Sequence, residues 1–168
     1  MILTKPEILK KLKGKEIIIS PLDKKSVGPA SVDLTLDKEI RIFDRSNKVI
    51  DLRGDEDYKK ITKLKDISQG YVLNPGELIL GITKETITLP GNICGWLNSR
   101  SRYARLGLMS HITAPFICPG ISNRQVLEVY NAGTIPIKLH PGIKICQIVF
   151  ETCEGKSKYQ GKFKNQKL

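Results

Sequence analysis

The amino-acid sequence predicts a mainly β protein, a barrel or sandwich of short strands preceded by one short helix. Three observations predict it: apolar and polar residues alternate with a period of two, apolar runs recur about every eight to twelve residues, and proline- and glycine-rich turns separate them. Such even spacing is typical of sheets whose edges are closed or covered. At 168 residues, the chain has the size of one domain, 1–168.

The helix is predicted at the N-terminus. Residues 4–7 form a capping-box pattern with an early proline, Ile8, Leu9 and Leu12 recur at helical spacing, and Gly14 is a stop signal. This segment is not a continuous apolar block, and no apolar run in the chain approaches the length that spans a bilayer. We therefore expect no signal peptide, no membrane partner and a cytoplasmic location.

The strands follow in order along the chain. Alternating or β-branched runs predict them at 16–20, 32–36, 40–42, 71–73, 77–83, 86–89, 93–98, 109–113, 126–130, 135–139 and 144–150. Residues 44–68 are polar and lysine-rich, and we interpret them as a long excursion with an irregular strand near 49–52, not as a linker between domains. The basic residues 154–168 are poor in apolar side chains, which predicts a mobile tail unless a ligand or neighbour orders it.

The net charge and the cysteine content limit the kinds of ligand and site that we expect. The net charge of +11 favours anionic ligands, such as nucleotides, nucleic acid or an acidic membrane surface. The four cysteines form no Cys-x-x-Cys pair, and the chain has only two histidines. We therefore expect reduced, mostly buried thiols, and we expect neither a resident metal site nor a histidine-based triad.

One segment packs three arginines and two serines into seven residues: Ser99, Arg100, Ser101, Arg102 and Arg105. Arginine grips phosphate oxygens bidentately, and a helix capped by Ser99 or Ser101 would aim free backbone N–H groups at the same anion. Ser101 and Arg105 would then lie one helical turn apart on one face. We interpret the segment as an anion cradle for the phosphate chain of a nucleotide, and a basic surface turn is the alternative.

A single carboxylate, Glu128, interrupts an apolar strand. Val126, Glu128 and Tyr130 share one face of that strand, and Leu127 takes the other. Such a carboxylate is either an edge charge that blocks aggregation or a buried functional group. If the face lines a cleft, Glu128 is suited to be a general base.

A third motif lies in the tail. Residues 156–162 place Tyr159 between lysines and two residues before Gly161, an arrangement that could fold over a base and its phosphates. A disordered, solubilising tail is the alternative.

Taken in order, these motifs resemble the dCTP deaminase family, which shares its fold with the trimeric dUTPases and includes archaeal dUTPases. The resemblance spans nearly the whole chain and is carried by residues 28–34, 74–77, 100–108, 111–114, 119–120, 126–131, 141–142 and 158–161. It implies a distorted, jelly-roll-like β-barrel of the dUTPase fold. It also implies a homotrimer with active sites between subunits.

The resemblance further implies roles for individual residues. Glu128 matches the family's catalytic glutamate, which activates water to attack C4 of the cytosine and passes protons to the leaving ammonia; Ser101 and Arg105 complete the catalytic set. The tail would close over the nucleotide, which would carry Mg²⁺ on its triphosphate without a protein cage. The implied substrate-binding residues are Arg100, Ser101, Arg102, Tyr103, Ala104, Arg105, Thr113, Ala114, Cys118, Val126, Leu127, Glu128, Lys158, Tyr159 and Lys162.

Three positions depart from the family pattern. Cys118 stands where the family usually has an aspartate that holds the sugar hydroxyl and, in dUTPases, positions the attacking water. Arg102 replaces the common second serine, and Lys162 replaces a tail glutamine. Because a thiol is a poorer acceptor than a carboxylate, Cys118 weighs against the dUTPase interpretation, whereas the short basic tail resembles the archaeal dUTPase branch. The retained Glu128 favours deamination.

The leading hypothesis is therefore a dCTP deaminase that releases dUTP and ammonia, and that activates water with a carboxylate because the sequence lacks the ligand signature of zinc-dependent deaminases. The runner-up is a dUTP diphosphatase that forms dUMP and pyrophosphate, or one site with both activities. A catalytically inactive nucleotide-binding trimer is a third possibility. Nucleic-acid binding is disfavoured because few aromatic residues are interleaved with the basic ones. Feedback by dTTP stays open.

Overall fold

The computed structural model describes residues 1–44, 49–54 and 57–168. The strands are β1 Ile18–Ser20, β2 Val32–Phe43, β3 Thr62–Asp66, β4 Tyr71–Leu73, β5 Leu78–Thr88, β6 Ile93–Ser99, β7 Leu108–Met109, β8 Phe116–Ile117, β9 Ser122–Asn131, β10 Ile137–Leu139 and β11 Lys144–Thr152. The helices are α1 Lys5–Lys13 and α2 Ser101–Ala104, with 3₁₀ turns at Lys24–Ser26 and Tyr58–Lys60. The mainly β prediction is confirmed.

Nine of these strands form one antiparallel sheet within the described residues. The order is β7-β9-β5-β2-β11-β6-β8, with β1 added to β5 and β3 to β2, while β4 and β10 pair separately. The long strand β2 joins the two halves, because its first residues pair with β11 and its later ones with β5 and β3. The register shifts within β2 and within β5, and such irregularities bend strands. The sheet curls accordingly, which confirms the predicted distorted barrel.

The concave side of the sheet holds the apolar core. Leu34, Leu127, Ile148 and Phe150 are completely buried, and each alternates along its strand with a half-exposed neighbour. This period-two burial is the pattern that the sequence predicted. It fixes which side chains of β9 face the core and which face away.

The helix α1 ends before Gly14, as predicted, and buries Ile8 in the core. The predicted capping box is wrong, since the side chain of Thr4 makes no capping hydrogen bond. The carboxylate of Glu7 instead lies 3.8 Å from the Lys10 ammonium.

The predicted irregular strand near 49–52 is also wrong. Residues 49–54 form no strand, and the side chains of Val49 and Leu52 are 93% and 91% exposed, so no neighbouring strand covers them. The excursion pairs with the sheet later, through β3, which the sequence analysis missed. Its residues 45–48 and 55–56 lie outside the described residues.

Other boundaries differ for local reasons. The predicted strands 32–36 and 40–42 are one strand, β2, and 77–83 and 86–89 are one strand, β5, each continuing through its register shift. The predicted strand 109–113 ends at Met109, where the chain bends. The two-residue β8 was not predicted.

In the part of the chain that the structure describes, no helix is long and apolar enough to cross a membrane. The four cysteines are free thiols. Residues 1–44, 49–54 and 57–168 contain no group of three or more histidine, cysteine, aspartate or glutamate side chains placed to hold a metal ion.

Candidate active site

A cavity of about 350 Å³ lies where the curled sheet brings β8 towards β9. Glu128 is the one charged side chain among the described residues that line it. The lining residues are Phe43, Tyr58, Leu80, Leu97, Ala114, Phe116, Ile117, Cys118, Ile121, Asn123, Gln125, Val126, Glu128, Tyr159, Phe163 and Gln166. A mainly apolar hollow with a few convergent polar groups is the usual form of a small-molecule site.

Glu128 reaches this cavity because of its position in β9. Alternation along the strand turns Glu128 and Val126 towards the cavity and buries Leu127 in the core. Glu128 pairs with Leu80 of β5 on one side, whereas β7 pairs only with Tyr130 and Asn131, so the interpretation of Glu128 as an edge-strand charge stays open. The backbone N–H of Ile112 donates to Glu128 Oε2 at 3.2 Å. Since a carboxylate offers about four lone-pair sites, this bond leaves room for a water.

The opposite wall comes from β8 and its flanking loops. Cys118 follows β8 directly and is half-buried, and Ala114 precedes it in an exposed loop. Cys118 and Glu128 therefore meet at one cavity although their strands belong to opposite halves of the sheet.

His111 lies beside this wall. Burial lowers the pKa of His111, and the negative charge of Glu128 opposes that shift. Its Nδ1 atom is buried and has no hydrogen-bond partner among the described residues. The protonated form of His111 is therefore less favoured here than it is for a histidine in water.

The tail supplies the third wall. The backbone N–H of Tyr159 donates to the carbonyl of Pro119 at 3.0 Å, and Tyr159, Phe163 and Gln166 line the cavity. The described residues of the tail lie against their own chain. The mobility of the tail stays a prediction.

The arginine-rich segment has the helix that was predicted, but not the predicted cap. The helix α2 begins at Ser101 behind Arg100, which occupies the N-cap position without a side-chain bond. Ser99 ends β6, and its hydroxyl is hydrogen-bonded to that of Ser110 at 2.8 Å, so it cannot cap the helix. The Arg105 N–H donates to the Ser101 carbonyl at 3.1 Å, which confirms their separation of one turn.

The arginines of this segment have different environments. The guanidinium of Arg100 lies 3.2 Å from the Asp33 carboxylate and donates to the Lys144 carbonyl at 3.1 Å, so it ties β6 to β2 and β11. Arg102 lies over the half-buried ring of Tyr103, 5.3 Å from its centre. Arg105 is exposed.

A single chain does not bring the predicted site together completely. The structure places Ala114, Cys118, Val126, Glu128 and Tyr159 around one cavity. The remaining predicted residues line no part of it: Arg100, Ser101, Arg102, Tyr103, Ala104, Arg105, Thr113, Leu127, Lys158 and Lys162. The side chain of Leu127 faces the core because it is on the opposite face of β9 from Glu128.

Several lining residues were missed from the sequence. Asn123 and Gln125 are polar residues at buried, alternating positions of β9, and this pattern was a signal that the analysis could have used. Phe116 sits in a strand too short to show a period. Phe163 and Tyr58 reach the cavity only through the folding of the tail and of the excursion.

The model of the dCTP deaminase-like family matches residues 2–153 of this chain. The chain belongs to the dCTP deaminase-like family. A relative from Pseudarthrobacter chlorophenolicus, named "dCTP deaminase, dUMP-forming", is 36% identical over 99% of this chain and 89% of its own length. A relative from Tolumonas auensis, named "dCTP deaminase", is 42% identical over 89% of this chain and 82% of its own length. The suspected family is therefore confirmed.

Solved structures agree with this family assignment at the level of the fold. A dCTP deaminase from Agrobacterium tumefaciens superposes with a TM-score of 0.69 at 24% identity over 89% of this chain, which spans about half (48%) of that protein's length. A mutant dUTPase from phage phi11 of S. aureus superposes with a TM-score of 0.53 at 14% identity over 87% of this chain and 96% of its own. That phage structure is described as showing the coordination of a structural Mg(II) ion.

Proposed function

We propose that this protein is a dCTP deaminase, which hydrolyses dCTP to dUTP and ammonia with Glu128 as the general base. The observation that carries the proposal is the position of Glu128, the one charged side chain that the described residues place around a mainly apolar cavity. The relatives of this chain that are named dCTP deaminase support the same reaction.

The geometry suits proton transfer. The bond from the Ile112 N–H holds Glu128 Oε2, and the carboxylate keeps acceptor sites for the attacking water. Glu128 takes a proton from the water as its oxygen adds to C4 of the cytosine, and passes that proton to N3. Glu128 then takes the proton of the new hydroxyl group and gives it to the amino group, which leaves as ammonia while the C4 carbonyl forms. A positioned acid–base group of this kind typically contributes about 10²–10⁴-fold to the rate.

The triphosphate needs a partner that this cavity does not provide, because neither lysine nor arginine is among its described lining residues. We propose that Ser101 and Arg105 of a neighbouring copy supply it, in a homotrimer with sites between subunits. Both residues are exposed on or next to α2, where they are available to a second chain. The substrate is the magnesium complex of the nucleotide, in which the phosphates hold the ion.

A second candidate is a dUMP-forming enzyme, which adds pyrophosphate release from dUTP at the same site. The Pseudarthrobacter relative, which is named "dCTP deaminase, dUMP-forming", favours it. The thiol of Cys118 in the cavity wall counts against it, because a thiol is a poorer hydrogen-bond acceptor than a carboxylate. It is therefore poorly suited to position the water that would attack dUTP.

One assay separates these functions. The purified protein is incubated with Mg²⁺ and either dCTP or dUTP, and ammonia and pyrophosphate are measured in parallel. The deaminase releases ammonia from dCTP and leaves dUTP intact, whereas the dUMP-forming enzyme releases ammonia and pyrophosphate from dCTP. Pyrophosphate from dUTP without ammonia from dCTP identifies a dUTPase, and tight nucleotide binding without either product identifies an inactive binding protein.

A further inference from the structure

The C-terminal segment, residues 157–167, lies across the cavity of its own chain. The backbone N–H of Ser157 donates to the Gly91 carbonyl at 2.8 Å, and the N–H of Tyr159 donates to the Pro119 carbonyl at 3.0 Å. Beyond these two bonds, Tyr159 and Phe163 become part of the cavity wall. The segment is therefore a component of the candidate active site.

Two glycines leave room for this close approach. A Cβ atom on Gly91 would lie 2.9 Å from the Ser157 carbonyl oxygen. A Cβ atom on Gly120, whose φ is +76°, would lie 2.9 Å from the Lys158 Cα. Both contacts involve backbone atoms of the segment, so any larger residue at either glycine would displace it.

Asn123 holds the middle of the segment. Its Nδ2 group donates two hydrogen bonds, to the carbonyls of Phe163 and Lys164, both at 3.1 Å. Asn123 is only 8% exposed and shares a face of β9 with the core residue Leu127. Buried polar groups are costly when unpaired, so an amide at this position is stable only while the segment accepts its protons.

Gln125 fixes the orientation of that amide. Its Nε2 group donates to Asn123 Oδ1 at 2.7 Å, and its own backbone N–H donates to Thr83 Oγ1 at 2.9 Å. Gln125 and Thr83 are both buried. The bond to the Asn123 oxygen leaves the nitrogen of that amide directed at the segment.

The excursion holds the end of the segment. The hydroxyl of Tyr58 donates to the Lys167 carbonyl at 2.7 Å, and Gln166 Nε2 donates to the Arg124 carbonyl at 2.8 Å. The Arg41 guanidinium carbon lies 6.0 Å from the centre of the Tyr58 ring. The bond from Tyr58 to Lys167 therefore gives part of the polar excursion, residues 44–68, a structural role.

We propose that Asn123 is a positioning residue, which docks the C-terminal segment onto its own chain so that Tyr159 and Phe163 wall the nucleotide site. The inference rests on the proposed function for the meaning of that site. Asn123 acts on turnover through the segment and does not itself take part in the chemistry.

The test variant is Asn123→Asp. It keeps the oxygen that accepts from Gln125 but removes both donors to the segment, and it sets a carboxyl group against two carbonyls. We expect trypsin to cleave after Lys164 about tenfold faster than in the wild type. The KM for dCTP should rise about tenfold while kcat stays within about twofold, because the reacting groups are unchanged.

Asn98→Asp is the matched control, since Asn98 is an exposed asparagine outside the cavity and the segment. It should leave both readouts unchanged. Tyr58→Phe is the second variant, which keeps the ring and loses only the bond to Lys167; it should speed cleavage about threefold. If Asn123→Asp does not fold, Asn123→Ala decides, because it also removes both donors to the segment and places no carboxyl group there.

The two proposals fail in different ways. Unchanged proteolysis and unchanged KM in the folded Asn123→Asp variant, or in Asn123→Ala where that variant decides, overturn the role of Asn123 even if the protein deaminates dCTP. Absence of turnover in the wild type overturns the proposed function, and the trypsin readout then still reports whether Asn123 docks the segment. A fall in kcat at unchanged KM would contradict a positioning role and place Asn123 in the chemistry.

Discussion

The replacement Glu128→Gln isolates the proton-transfer step of the proposed reaction. Glutamine has nearly the shape of glutamate, and its carbonyl oxygen can still accept the 3.2 Å bond from the Ile112 N–H. Folding and nucleotide binding should therefore be retained. The amide cannot take a proton from water, so the contribution of the general base is lost.

The expected magnitude follows from that single loss. A general base accounts for about 10²–10⁴-fold, so kcat for ammonia release from dCTP should fall by this factor, or about 2.7–5.4 kcal/mol in activation free energy. The Kd for dCTP, measured by calorimetry, should stay within about threefold of the wild-type value. A threefold change corresponds to less than about 1 kcal/mol of binding free energy.

Glu151→Gln is the matched control. Glu151 is a half-exposed carboxylate of β11 that accepts a bond from the Trp96 indole at 3.2 Å and does not line the cavity. The same chemical change at this position should leave kcat unaltered. A Glu128→Gln enzyme with kcat within about threefold of the wild type would refute the assignment of the base, because a lost general base costs far more.

The other predictions concern four side chains. Arg105→Ala should raise the KM for dCTP about 10–100-fold, because a charge-assisted bond to phosphate is lost; steady-state kinetics measures it, and an unchanged KM would remove Arg105 from the site. Cys118→Asp should lower the same KM if this position holds the sugar hydroxyl, and a higher KM would exclude that role. In native thiol labelling, Cys118 should react and the buried Cys146, whose pKa is raised by burial, should not; equal rates would contradict the fold. Burial lowers the pKa of His111 below its ordinary 6.5, so the free energy of unfolding should fall as the pH drops below about 6.5 and then level off below the folded-state pKa; in urea titrations, the slope of the unfolding free energy against pH should differ between wild type and His111→Gln only in that window.

Much of the fold follows from period-two alternation. The strand around Glu128 was predicted with its faces correctly assigned, because Val126 and Leu127 differ in burial as alternation requires. The strand β3, in contrast, carries exposed lysines on an edge, and Val49 looked more strand-like although nothing covers it. Alternation of apolar and polar residues arises where one face of a strand is buried. A strand without a buried face, such as β3, therefore cannot be predicted from it.

The candidate site was predictable where chemistry departs from the local pattern. A carboxylate inside an apolar run identified Glu128, and an arginine cluster identified the segment around α2. The sequence does not show which partner satisfies an arginine, so the ion pair of Arg100 with Asp33 could not be expected. The contacts of Asn123 with Phe163 join residues forty positions apart, and no local pattern encodes such a contact.

Mixed assemblies test whether Glu128 of one chain and the anion cradle of another chain act on a single nucleotide. Glu128→Gln and Arg105→Ala chains, each with its own affinity tag, are co-expressed, and assemblies that contain both are isolated. At dCTP concentrations well below the KM, each variant alone should release ammonia at no more than about a tenth of the wild-type rate. In a trimeric ring with head-to-tail interfaces, every isolated mixed assembly has one interface of three that pairs an intact acid with an intact cradle, so it should show about a third of the wild-type rate of ammonia release. Mixed assemblies that are no more active than the single variants would contradict an active site shared between two chains.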